Sequence, residues 1–162
     1  MLEVVTYGDP VLEKKAEPVT EFDEELVLLC AQMFEALKRD HGIGLAAPQV
    51  SVSKRVFITD VDEDRKRVFV NPEIVMTSPD LVEYEEGCLS FPGLYFMVKR
   101  SASLRVQAFN EKGKPFTVEA DGLLARVILH EYDHLEGKLF IERITPLRRE
   151  RALLHYRRMV KM

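Results

Sequence analysis

Residues 121–137 read DGLLARVILHEYDHLEG, and their periodicity organises the rest of the chain. Asp121 is placed to cap a helix at its start, and Gly137 to stop it. Each helical residue turns about 100°, so His130 and His134 fall about 40° apart on one face. Glu131 lies at the edge of that arc, and Leu123 and Val127 precede it by one and two turns. Ala125, Ile128, Leu129 and Tyr132 cover the opposite side. A helix apolar nearly all round is expected to be buried, with the remaining elements packed about it.

Working outward, the flanking segments supply those elements. Upstream, EPVTEFDEELVLLCAQMFEALKRDHG (17–42) predicts an amphipathic helix. Thr20 or Asp23 would cap it, Leu26, Leu29, Met33 and Leu37 recur at helical spacing, and Gly42 would end it. Cys30 falls inside that pattern as a small core residue. Between the two helices the texture is β-type: RVFITDV, KRVFV, LVEYEE, LYFMV, SLRVQAF and PFTVEA, punctuated by NP, SPD, FPG and NEKGK. After Gly137, KLFIERI (138–144) reads as one more strand, and Pro146 opens a last helix. Helices and strands are segregated rather than alternating. The expected class is α+β: antiparallel strands packed around a central HExxH helix, with one helix N-terminal and one C-terminal. No repeat or linker-like stretch occurs, so residues 1–162 are expected to form a single catalytic domain.

The net charge of −4 provides no basic excess for general phosphate or membrane-surface binding. The basic run RRERALLHYRR (148–158) is interleaved with leucines and reads as a solvated helix face. No apolar stretch reaches membrane-spanning length, and MLEVVTYGDPVLEKK lacks the apolar run of a signal peptide. Two cysteines, Cys30 and Cys88, are too few for a secreted disulfide framework. A cytoplasmic protein with reduced thiols is expected, and such thiols can serve as metal ligands.

Two histidines four apart with an intervening glutamate suit metal-assisted hydrolysis: the imidazoles hold an ion and the carboxylate relays protons. A catalytic ion needs a third protein ligand. The spacing H-E-x-x-H-x-x-G-x-x-H would place a histidine at residue 140, which is Phe140. Downstream acids are Glu142 and Glu150, the latter on a charged helix face. His41 precedes a glycine turn and His155 sits among arginines. Cys88, in EEGCLSFPG (85–93), is the better donor: Gly87 permits close backbone approach, and a thiolate is a soft anionic ligand. Cys88, His130 and His134 would leave a fourth position open, as catalytic sites do. Asp133 lies outside the ligand arc and is expected to play a supporting role.

A second unusual stretch is GIGLAAPQV (42–50). It follows a helix and lacks the third glycine of a dinucleotide fingerprint. Its small residues allow a backbone to approach a ligand closely, and Gln49 offers a neutral amide donor suited to a developing oxyanion.

GIGLAAPQ (42–49), EGCLS (86–90) and HEYDHLEG (130–137) resemble, in this order and spacing, the three signature motifs of the peptide deformylase family. The resemblance runs from the GDPVL start to the last helix. It implies removal of the N-formyl group from newly synthesised polypeptides beginning with formylmethionine, with release of formate. It implies metal ligands at Cys88, His130 and His134, a catalytic glutamate at Glu131, and oxyanion donors at the Gln49 amide and the Leu89 backbone N–H. The ion it implies is Fe²⁺, replaceable by Ni²⁺, Co²⁺ or Zn²⁺ in preparations. Ile43 and Gly44 of the glycine loop, with Leu123 and Val127, are expected to receive the methionine side chain. The final basic helix is a candidate ribosome contact; no nucleic-acid sequence and no membrane is expected as partner. Two positions depart from many members: Leu129 stands where glutamine is frequent, and Tyr95 stands about where an arginine contacts bound peptide. Competing readings are a metallopeptidase cutting internal bonds, which needs a third Glu or His ligand, and a non-catalytic metal-binding module, which needs no Glu131 or Gln49.

Overall fold

Apolar alternation in the central third of the chain builds two antiparallel sheets. The computed structural model describes residues 2–161; Met1 and Met162, the last residue of the expected final helix, lie outside them. Strands β1 (Gly44–Ala46), β2 (Val56–Thr59), β3 (Arg67–Thr77), β6 (Ser103–Phe109) and β7 (Pro115–Asp121) form a five-stranded sheet in the order β1-β2-β3-β6-β7. Strands β4 (Leu81–Cys88) and β5 (Phe91–Ser101) pair as a separate hairpin. The class is α+β, as the segregation of helical and strand periods implied.

All four residues of β2 are buried because helices cover both faces of this end of the sheet. Phe57 and Phe69 face one way and pack with Ala125, Ile128 and Leu135 of helix α2 (Gly122–Leu135). Val56, Ile58 and Val70 face the other way and pack with Leu26, Cys30, Met33 and Leu37 of helix α1 (Glu24–Arg39). Strand residues alternate between faces, so one short strand anchors both helices. A third core forms under the hairpin, where Phe91, Leu94 and Val98 meet Phe140 and Ile141, and Tyr156 of helix α3 (Pro146–Lys161).

Helix boundaries follow local chemistry, with two corrections. Asp23 caps α1, its Oδ1 accepting the Leu26 N–H at 3.0 Å. Asp121 occupies the corresponding position of α2, but its side chain makes no capping bond. It ends β7 with its side chain exposed, and the chain enters the helix through Gly122 at φ 56°. Gly137 stops α2 as expected, at φ 72°. KLFIERI is not a strand: Phe140–Arg143 form a 3-10 turn. Leu139, Phe140 and Ile141 are consecutive and all buried in the third core, a run that suits a buried turn as well as a strand covered on both faces. The Glu142 carboxylate accepts the Leu139 N–H at 2.7 Å and closes the turn.

Candidate active site and metal centre

Helix α2 packs on β1 and β2 and also touches β5, which brings its last two turns against the end of β4. His130 and His134 thereby meet Cys88, with donor atoms of the three within 4.8 Å of one another. The Cys88 Sγ lies 3.5 Å from His134 Nε2, and the two imidazole rings stand edge to face. One thiol sulfur and two imidazole nitrogens suit a first-row divalent cation. His134 Nδ1 is buried without a hydrogen-bond partner among the described residues, so Nε2 is the nitrogen turned toward the sulfur.

A buried charge network orients the first histidine. Glu86 precedes Cys88 by two residues on β4, so both point to the same face. Its Oε1 lies 2.8 Å from His130 Nδ1, and a carboxylate can only accept, so Nδ1 carries the proton and Nε2 is left to ligate. Burial alone would raise the Glu86 pKa, but hydrogen bonds from His130 and Arg100 outweigh it and hold the carboxyl at about 2. Arg100 donates to Glu86 from Nε at 2.6 Å and Nη2 at 3.0 Å, and Arg126 Nη1 donates to its Oε2. Asp133, kept from the ligand arc by helix geometry, accepts from Arg100 and Arg143 instead. Glu142 is engaged at Leu139 and Phe140 is core, so neither supplies a third ligand.

Burial would depress His130, yet hydrogen bonds with Cys88 and Glu86 raise it to about 10. His134 is held well below its ordinary value by burial and by His130. Coordination therefore requires His130 to release a proton that His134 does not carry.

Glu131 is 4% exposed, and its Oε1 has no hydrogen-bond partner among the described residues. Burial pushes its carboxyl up to about 7, against the opposing pull of His130 and Arg100. Gln49, 1% exposed in the 3-10 turn Ala47–Val50, is clamped by its own carbonyl, which accepts the Ala46 N–H at 3.0 Å. Its Nε2 donates to Ser90 Oγ at 3.1 Å and points at Cys88 Sγ, 3.7 Å away. A cavity of about 920 Å³ encloses Cys88, His130, Glu131, Gln49 and Leu89, with Ile43, Gly44, Leu123 and Val127 on its walls. Val127 is buried, whereas Ile43 and Leu123 are about two-fifths exposed at the mouth. Leu129 packs against the sheet core, away from the cavity, and Tyr95 stands at the mouth.

Sequence reasoning overlooked Glu86, Arg100, Arg126 and Ser90. The alternation that pairs Glu86 with Cys88 on one strand face was a usable signal. The arginines were not legible, because their partner lies 14 and 40 residues away.

An ionisable triad on a helix and a strand, with an enclosed carboxylate beside it, defines the class of metal-dependent hydrolases. The model of one family, polypeptide deformylase, matches residues 1–150. The chain belongs to that family. A peptide deformylase of Treponema pallidum is 48% identical over 155 residues, 96% of this chain and 95% of its own. One of Neisseria meningitidis is 48% identical over 153 residues, covering 93% and 91% of the two chains. The crystal structure of a peptide deformylase from Legionella pneumophila superposes with a TM-score of 0.94 at 40% identity, covering 99% of this chain and 96% of its own. One from Synechococcus elongatus, in complex with actinonin, gives 0.91 at 41% identity over 96% and 85%.

Proposed function

We propose that residues 1–162 act as one catalytic domain that removes the N-formyl group from the formylmethionine of newly synthesised polypeptides. The observation that carries this reading is Glu131, a buried carboxylate whose Oε1 has no partner among the described residues, in one cavity with Cys88 and His130, which His134 joins as a third donor. The three ligands would hold a single divalent ion, Fe²⁺ in the native protein and Ni²⁺, Co²⁺ or Zn²⁺ in some preparations. When bound, that ion supplies Lewis acidity toward the formyl oxygen and the attacking water.

Glu131 takes a proton from water as the water oxygen bonds to the formyl carbon. Burial holds its carboxyl above the ordinary carboxylate range, which suits it to act as base and then as acid. The Gln49 Nε2–H and the Leu89 backbone N–H donate to the oxyanion. The proton on Glu131 then passes to the methionine nitrogen as the C–N bond breaks, and formate leaves. Ser90 and the Ala46 N–H hold the Gln49 amide in its working orientation, and Glu86 does the same for His130. Ile43, Gly44, Leu123 and Val127 receive the methionine side chain.

The setting is cytoplasmic, with nascent chains met near the ribosomal exit tunnel. The exposed arginines of α3 supply the contacting surface. No helix among the described residues is long and apolar enough to cross a membrane. The test is anaerobic assay of the Fe²⁺ protein for formate release from formyl-Met-Ala-Ser. Release at a rate proportional to bound metal is expected; no formate above a metal-free control overturns the reading.

A further inference from the structure

Three buried side-chain polar atoms have no hydrogen-bond partner among the described residues: His134 Nδ1, Glu131 Oε1 and Thr59 Oγ1. The first two belong to the candidate site. Thr59, fully buried at the end of β2, lies one layer behind it. Valine fills the same shape in a buried strand without taking a hydroxyl out of water, so a threonine here needs a partner for its hydroxyl.

Thr59 pairs with Gly44 across β1 and β2, and directly opposed residues project from the same sheet face. That face is the one turned to α2. Phe57, two residues earlier on β2, packs there with Ala125 and Ile128. A Cβ at Gly44 would lie 2.6 Å from Val127 Cγ1 and 2.8 Å from Glu131 Oε2. Opposed Cβ atoms stand about 4.5–5.5 Å apart, so the Thr59 Cβ lies at most about 8 Å from that carboxylate. Two hydrogen bonds of about 2.8 Å each, through one water, span such a gap. On the other side Thr59 is paired with Arg67 of β3, whose guanidinium is taken up by Asp64 through hydrogen bonds of 2.8 and 2.9 Å.

We propose that the Thr59 hydroxyl donates through one buried water to Glu131 Oε1 and fixes the plane of that carboxylate, which makes Thr59 a positioning residue for the proton transfer. The last torsion of a glutamate is broad, so anchoring one oxygen decides where the other points. Oε1 is the sealed oxygen. Oε2 lies beside the glycine loop and is left to meet the attacking water. The inference rests on the deformylase reading and assigns a residue behind its catalytic glutamate.

The experiment compares the Fe²⁺ forms of wild type, Thr59→Val and Thr59→Ser for kcat and KM on formyl-Met-Ala-Ser, for bound metal and for Tm, alongside a high-resolution crystal structure of the wild type. We expect Thr59→Val to lose kcat about tenfold with KM and metal content unchanged. Thr59→Ser, which keeps the hydroxyl on a freer torsion, should stay within about threefold of wild type. The crystal structure should show a water within hydrogen-bond distance of both Thr59 Oγ1 and Glu131 Oε1. A hydroxyl without such a partner gives the opposite result, because its removal then raises Tm and leaves kcat unchanged; that outcome overturns the inference and leaves deformylation standing. A loss of kcat that serine does not restore, or a Thr59 hydroxyl seated on another acceptor, overturns it as well. No formate from the wild type overturns the deformylase reading itself, and this inference with it.

Discussion

Replacing Gly44 with alanine tests how tightly the glycine loop is built against the catalytic glutamate. Gly44 does not have a left-handed φ, so the backbone tolerates a side chain and the effect is one of space. The added Cβ would sit 2.6 Å from Val127 Cγ1, 2.8 Å from Glu131 Oε2 and 3.1 Å from Glu131 Cγ. Carbon atoms in contact prefer about 3.5–4.0 Å, so the Val127 methyl must retreat by about 1 Å and the Glu131 carboxylate by roughly half that. Val127 is a β-branched residue locked in α2, whereas the carboxylate can swing. Overpacking of this kind costs about 1–3 kcal/mol, which lowers Tm by about 2–12 °C in a chain of this size. Displacing a proton-transferring group by under 1 Å costs kcat on the order of 10²-fold. Metal content should stay at wild-type level, because the three atoms nearest the new Cβ belong to Val127 and Glu131 and not to a ligand. Adding Val127→Ala removes the closest contact but not those to Glu131. The double variant should therefore recover Tm while kcat stays low. Wild-type kcat in the single variant, or recovery of kcat along with Tm in the double, would refute the reasoning.

Further outcomes follow from the buried charges and the thiols. In Glu86→Gln, Arg100 and Arg126 lose the charge that compensates them. Urea unfolding should show a loss of about 3–5 kcal/mol, and metal titration an affinity about 10–100-fold weaker. Because the folded Glu86 pKa of about 2 lies below the ordinary 4.5, its stabilisation is complete above pH 4.5 and is lost as pH falls through about 2. The stability gap between wild type and Glu86→Gln should narrow over that window; a constant gap contradicts the linkage. Burial first, and Glu111 second, push the Cys30 thiol up to about 12, so it stays protonated and slow to alkylate at pH 8. After chelation one thiol, Cys88, should react fast with a disulfide reagent and be protected again by added metal. Two fast thiols would contradict the buried, protonated state of Cys30, and no protection by metal would remove Cys88 from the ligand set.

The fold was legible where one residue type has one role. Asp23, Gly137, the leucines of α1 and the six β-type runs follow from local propensity and sit in the expected elements, but β3 runs on through Asn71–Pro72 and β5 starts at Phe91, so NP and FPG do not break the strands as expected. KLFIERI misled because a run of consecutive apolar residues suits a strand and a buried turn equally; a carboxylate three residues on, at Glu142, decided it. The candidate site divides in the same way. Cys88, His130 and His134 were legible because coordination chemistry narrows the choice of donor, and the structure brings them together. The network of Glu86, Arg100, Arg126 and Asp133 was not, since it joins two strands and a helix distant in sequence. Charged residues on β5 and α2 read alone as solvated. Only the packing of the hairpin on α2 turns them inward.

The central claim is that Glu131 moves the proton while Cys88, His130 and His134 hold the ion. Glu131→Gln keeps the shape and hydrogen-bonding capacity of the side chain and removes the titrating group. The direct measurement is single-turnover formate release by this variant with its bound metal quantified in the same sample. Metal at one equivalent per chain with kcat reduced by about 10²–10⁴-fold is the expected result. Turnover near the wild-type rate with metal bound would contradict the account.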